Sequence, residues 1–144
     1  MPQENNIRGS IRHLDRYKQL ISFEGLERHR KITPTDIDGL IDYAGNAFFY
    51  MECKLESRYN EAGLDYGQRR AIENLIESHR MAGHLAMAII FVHNCLPEEL
   101  IIARDMNVRE VYFEHKWKTP KSNWLVINAI NWFENYCKKN NVHI

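Results

Sequence analysis

The stretch TPTDIDGLIDYAGNAFFYMECK, residues 33–54, decides the fold. Two runs rich in Ile, Phe and Tyr, 36–43 and 47–55, flank the turn-prone junction Ala44-Gly45-Asn46, and the segment therefore reads as a β-hairpin. Pro34 removes a backbone donor and pushes Thr33 toward extended geometry just ahead of it. Side chains alternate along a strand, so Asp36, Asp38, Leu40 and Asp42 share one face of the first run, while Ile37, Gly39, Ile41 and Tyr43 share the other. In the second run Phe48, Tyr50, Glu52 and Lys54 share a face, and the opposite row, Phe49, Met51, Cys53 and Leu55, reads as core.

Outward from the hairpin, Ile7, Ile11, Leu14 and Ile21 recur at helical steps and predict an amphipathic helix over 6–21. Residues 22–35 read as a connector with a short helical turn within 24–30. Downstream, 56–66 is polar, and Ala71, Ile72, Leu75, Ile76 and His79 then form one stripe of a helix over 67–82, ended by Gly83. HLAMAIIFVH, residues 84–93, is apolar almost throughout, the pattern of a strand buried on both faces. Leu100–Ala103 and Val108–Phe113 predict short strands, and Thr119-Pro120-Lys121-Ser122 breaks the chain. Ser122 is placed to cap a last helix bearing Trp124, Ile127, Ile130, Trp132, Phe133 and Tyr136. This order predicts one α/β domain over 1–144, a central mixed β-sheet flanked by helices, with the strand after the crossover helix parallel to a hairpin strand.

Composition agrees with a packed domain. Of 144 residues, 44% are apolar and 26% charged, with 7 Gly and 4 Pro, which excludes disordered and collagen-like classes. Cys53, Cys95 and Cys137 form no CxxC pair and predict reduced thiols rather than a disulfide framework or a zinc site. The seven histidines show no ligand spacing, which disfavours a histidine-based metal site. The first residues lack an apolar signal core, and the longest apolar run, Leu85–Val92, is too short to span a bilayer. A soluble, cytoplasmic protein is expected.

The formal net charge is zero, but it is unevenly spread. Residues 1–31 carry seven basic and four acidic side chains, 32–111 seven and thirteen, and 112–144 five and two. A central acidic region between basic ends suits either a metal site bordered by phosphate-binding surface or a solvated acidic face. The hairpin bears on the choice. If its register sets Asp38 near Glu52, two carboxylates and the Lys54 ammonium converge where a hard divalent cation finds oxygen ligands, and a lysine beside the attacking water can assist its deprotonation. The alternative is an exposed strand face with an ordinary ion pair. Against that alternative, Glu52 and Lys54 interrupt a run that otherwise reads as core, and β-propensity disfavours aspartate where 36 and 38 stand.

The segment also resembles the core signature of the PD-(D/E)XK nuclease superfamily: an aspartate opening one strand and the E-x-K tripeptide, here Glu52-Cys53-Lys54, on the next. Archaeal-type Holliday junction resolvases and small phage-encoded nucleases share that signature. By position Asp38 fits the superfamily aspartate best, with Asp36 as rival or auxiliary; Thr35 and Ile37 stand where the family has proline. The resemblance implies an αβββαβ core in which Asp38, Glu52 and the backbone carbonyl of Cys53 hold Mg²⁺, with Mn²⁺ as a substitute, while Lys54 orients or activates water. It also implies an acidic residue from the first helix, for which Glu24 and Glu27 are candidates, and a glutamine near the site at the start of the next helix, for which Gln68 stands well.

A nuclease must meet backbone phosphates. The candidates are Arg28, Arg30 and Lys31 before the motif, Arg69 and Arg70 after it, and Lys116, Lys118 and Lys121 around Trp117. The functional expectation is a Mg²⁺-dependent deoxyribonuclease, a structure-directed endonuclease of phage or bacterial recombination that binds DNA as a homodimer in a bacterial or phage-infected cytosol. The alternatives are a small restriction endonuclease and a non-catalytic module of the same fold that binds nucleic acid or protein.

Overall fold

Residues 22–144 are described by a computed structural model, in which the chain divides into two units, 1–34 and 35–144. The helix expected over 6–21 lies outside the described residues. In the first unit the Leu26 amide donates to the Phe23 carbonyl at 3.0 Å. Arg28 and Ile32 then bridge antiparallel around a 3-10 turn, His29–Lys31, in which Arg30 takes a φ of 60°.

The second unit carries a five-stranded mixed sheet in chain order: β1 (Gly39–Asp42), β2 (Ala47–Leu55), β3 (Leu85–His93), β4 (Asn107–Phe113) and β5 (Lys116–Lys118). β1 and β2 form the expected antiparallel hairpin, with Gly39 opposite Met51 and Ile41 opposite Phe49. Two helices, α1 (Glu56–Ala62) and α2 (Tyr66–Met81), cross over to β3, which runs parallel to β2 with Leu55 opposite His93. β4 and β5 follow antiparallel, and α3 (Val126–Lys139) closes the chain. Two strands, rather than the three of an αβββαβ core, precede the crossover among the described residues.

Each face of the sheet has its own core. On one, Phe49, Met87, Ile89 and Phe91 meet Val126, Ala129, Phe133 and Cys137 of α3. On the other, Tyr50, Ala88, Ile90 and Tyr112 meet Ile72 and Ile76 of α2. Residues 86–92 of β3 are all buried, which is why that strand reads as an unbroken apolar run. Burying a side chain such as Phe133 or Ile76 contributes about 1.5–3 kcal/mol.

Several boundaries differ from expectation for local reasons. The first strand begins at Gly39, not 36, because the Asp38 carboxylate takes the Cys53 amide that a longer ladder would have used, at 2.7 Å. The polar stretch after β2 folds as α1 and ends at Gly63, whose φ of 65° suits glycine. Asp65 caps α2 by accepting from the amides of Gly67 and Gln68. Leu100–Ala103 forms no strand; Leu100, Ile101 and Ile102 are exposed, and a 3-10 turn follows at Ala103–Asp105. Ser122 is not the cap of the last helix. That role falls to Leu125, whose amide donates to Asn128 Oδ1 at 2.9 Å. Phe133 is fully buried, and the half-buried Trp124 packs around the same core, so α3 directs its apolar face to the sheet. No helix among the described residues is long and apolar enough to cross a membrane.

Candidate active site

The alternation that turns Phe48 and Tyr50 toward α2 carries Glu52 and Lys54 onto the same row of β2. Glu52 is 3% exposed and is the one buried charged side chain among the described residues. A carboxylate out of water needs partners, and β2 and α2 each supply one. Lys54 Nζ lies 3.0 Å from Glu52 Oε1, and Gln68 Nε2 donates to the same oxygen at 2.9 Å. Lys54 Nζ in turn donates to Gln68 Oε1 at 2.9 Å, closing a triangle. Gln68 sits in the first turn of α2, fixed there by the Asp65 cap.

Across the hairpin, Asp38 Oδ2 accepts the Cys53 amide. A strand residue presents its N–H and C=O to the same neighbour, so the Cys53 carbonyl faces the edge on which Asp38 stands. Among the described residues no hydrogen bond reaches Glu52 Oε2 or Asp38 Oδ1. One unengaged oxygen from each carboxylate, with a backbone carbonyl beside them, is a donor set that fits a hard divalent cation. No group of three or more His, Cys, Asp or Glu side chains stands in ligand arrangement among the described residues.

Burial raises the pKa of Glu52 above the ordinary carboxylate value, and the Asp38 charge pushes it further, against the hydrogen bond and charge of Lys54; Asp36 adds a smaller push. The charged form is held at a free-energy cost, which a bound cation would relieve. The Cys53 thiol is pushed up to about 11, chiefly by burial, and is a poor nucleophile.

The site lies at the carboxyl ends of the parallel pair β2 and β3, where open α/β sheets place their ligands. Beside it opens a cleft of about 410 Å³ whose lining includes Lys54, Arg58 and His93. Sequence reasoning missed Arg58, which stood in a stretch read only as polar, and His93, which carried no ligand spacing.

The other expected residues are dispersed. Asp36 is exposed ahead of β1. Glu24, Glu27, Arg28 and Arg30 are exposed residues of the first unit, to which Lys31 also belongs. Arg69 is engaged elsewhere: it donates twice to Glu110, at 3.1 and 3.2 Å, and lies over the Trp117 ring at 4.6 Å. Glu110 also accepts from the Tyr59 hydroxyl. Arg70 pairs with Glu73 on the surface of α2. Lys116 and Lys118 belong to β5, at the opposite edge of the sheet from β1, and Lys121 is exposed before α3. Trp117 packs against the α2-side core with its indole N–H on Glu73, so it is a structural residue and not an open stacking platform.

No protein-family model matches the chain, and comparison with curated proteins and with solved structures gives no match either.

Proposed function

We propose that this chain is a metal-dependent nuclease of the PD-(D/E)XK type that hydrolyses DNA phosphodiester bonds with Mg²⁺. The observation that carries the reading is the buried Glu52, tied to Lys54 and Gln68 on one oxygen and left open on the other, with Asp38 across the hairpin. Asp38, Glu52 and the Cys53 carbonyl are the residues that would hold the cation. When bound, it supplies Lewis-acid neutralisation of the charge that develops on the scissile phosphate.

The chain's own groups do the rest. An ammonium has three protons, and Lys54 directs bonds to Glu52 and Gln68, which leaves one donor for a water or a phosphate oxygen. Its side chain is 27% exposed, enough to meet substrate while its position is fixed from behind. Gln68 is a positioning residue: its amide nitrogen holds Glu52 and its oxygen holds Lys54, so their separation is set before substrate arrives. Held between Glu52 and Gln68, the Lys54 ammonium is suited to orienting the attacking water and stabilising charge on the reacting phosphate.

The test is hydrolysis itself. Labelled DNA is expected to be cleaved in Mg²⁺ by the unaltered protein and to survive Lys54→Ala; cleavage unaffected by that substitution would refute the assignment.

A further inference from the structure

We infer that the cleft beside Lys54 receives an unpaired nucleotide, so that the enzyme acts on single-stranded or branch-point DNA in preference to continuous duplex. This rests on the nuclease reading for the cleft's use, though not for its existence.

The volume of about 410 Å³ falls in the range of small-ligand clefts, roughly 300–1,000 Å³. It fits one nucleotide, whereas a duplex keeps its bases paired and stacked. Its lining is of two kinds. Leu55, Leu96 and Ile101 contribute large apolar side chains that are 37%, 58% and 40% exposed, surface that water covers poorly and a base face covers well. Lys54, Arg58 and His93 contribute cationic or hydrogen-bonding groups. The acid of the lining, Glu99, accepts the Leu96 amide at 2.8 Å, and this bond holds the loop that forms one wall. Among the described residues Arg58 makes no ion pair.

Continuity with the site gives the direction. Lys54 belongs both to the Glu52 triangle and to the cleft, so a phosphate held at Lys54 brings its own or the adjacent nucleoside to the apolar wall. Arg58 of α1, which lines the same cleft, is placed for the next phosphate. Arg69, another of the expected phosphate contacts, is occupied by Glu110. Extracting a base from a duplex costs free energy, least where the base is already unpaired, and a cleft beside the reacting phosphate converts that cost into selectivity.

The experiment measures binding without metal, in EDTA, using a short DNA strand carrying one 2-aminopurine, alone and annealed to its complement. The single strand is expected to bind with a rise in fluorescence as the base leaves its neighbours, and the duplex to bind about tenfold more weakly with no such rise. Arg58→Ala is expected to reduce the slope of log affinity against log salt by about 0.7, the contribution of one phosphate on a single strand. Ile101→Gln, in an exposed loop, is expected to abolish the fluorescence rise while leaving the melting temperature unchanged. Equal binding of duplex and single strand, or a fluorescence rise that survives Ile101→Gln, would overturn the proposal. Because no metal is present, failure of Mg²⁺-dependent hydrolysis leaves this result standing, and cleavage that ignores strandedness would sink the cleft without touching the metal site.

Discussion

Lys54 Nζ stands 3.0 Å from Glu52 Oε1, two positions apart on one face of one strand, and Gln68 of α2 bonds to both. Alternation places the pair on the same row, and α2 locks it. Glu52 is nearly inaccessible while Lys54 is partly open, so the carboxylate is held in the interior and the ammonium at the surface of one unit.

The triangle predicts a division of roles. Lys54→Ala is expected to lower kcat by roughly 10²–10³, the contribution of one positioned donor to developing charge. Gln68→Ala is expected to lower kcat by about 10–100-fold, as do residues that orient the groups doing chemistry, with KM little changed. Steady-state kinetics on one substrate separates the two, and equal loss in KM and kcat for Gln68→Ala would contradict the positioning role.

The raised pKa of Glu52 predicts a pH-dependent stability in metal-free protein. A carboxyl that ionises less readily when folded than when unfolded favours the fold below its unfolded value and loses that contribution as pH rises through its folded value. Glu52→Gln is therefore expected to melt at a higher temperature than the unaltered protein near pH 7, with the gap closing below about pH 4.5. Saturating Mg²⁺ is expected to shift the melt of the unaltered protein alone, by about 2.7 kcal/mol at a hundred times Kd. Melting curves across pH, with and without metal, check both statements.

The hairpin, the parallel placement of β3, the helix against it and the apolar face of α3 are legible in the sequence because period-two and period-3.6 patterns report burial directly. α1 is not legible: ESRYNEA buries no residue and has no side-chain cap. β5 is three residues long and follows Glu114 and His115, whose φ values of 51° and 68° would ordinarily call for Asn or Gly. Leu100–Ile102 has the composition of a strand but finds no neighbour to pair with in the described structure. The site divides the same way. Asp38, Glu52 and Lys54 could be brought together by alternation and register alone, and Gln68 by the resemblance, whereas the engagement of Arg69 depends on Glu110, 41 residues away.

That engagement is itself testable. Burial alone would raise the Glu110 pKa, but bonds from Arg69 and Tyr59 outweigh it and hold the carboxyl below its ordinary value. Its stabilising contribution is present above the unfolded carboxylate value and is lost as pH falls through the lower folded value. Glu110→Ala is expected to destabilise the protein by about 1–3 kcal/mol near neutral pH by stranding its partners. Denaturant unfolding measures this, and no loss of stability would show that Arg69 and Tyr59 find other partners at no cost.

Core truncation sets the scale against which these effects are judged. Phe133→Ala is expected to cost about 3–5 kcal/mol through the cavity it leaves between α3 and the sheet. Calorimetric unfolding measures it, and a loss below 1 kcal/mol would mean that this face of the sheet is not a tightly packed core.

Asp38, Glu52 and Lys54 are proposed to form a metal-dependent phosphodiesterase site. The most direct measurement is single-turnover cleavage of end-labelled single-stranded, duplex, flap and four-way-junction DNA in Mg²⁺ and in Mn²⁺, with Lys54→Ala and Glu52→Gln alongside. Cleavage is expected in both metals, fastest where unpaired nucleotides are present, and is expected to be lost in both variants. Intact substrates under every condition, or cleavage that persists in both variants, would overturn the assignment of this site.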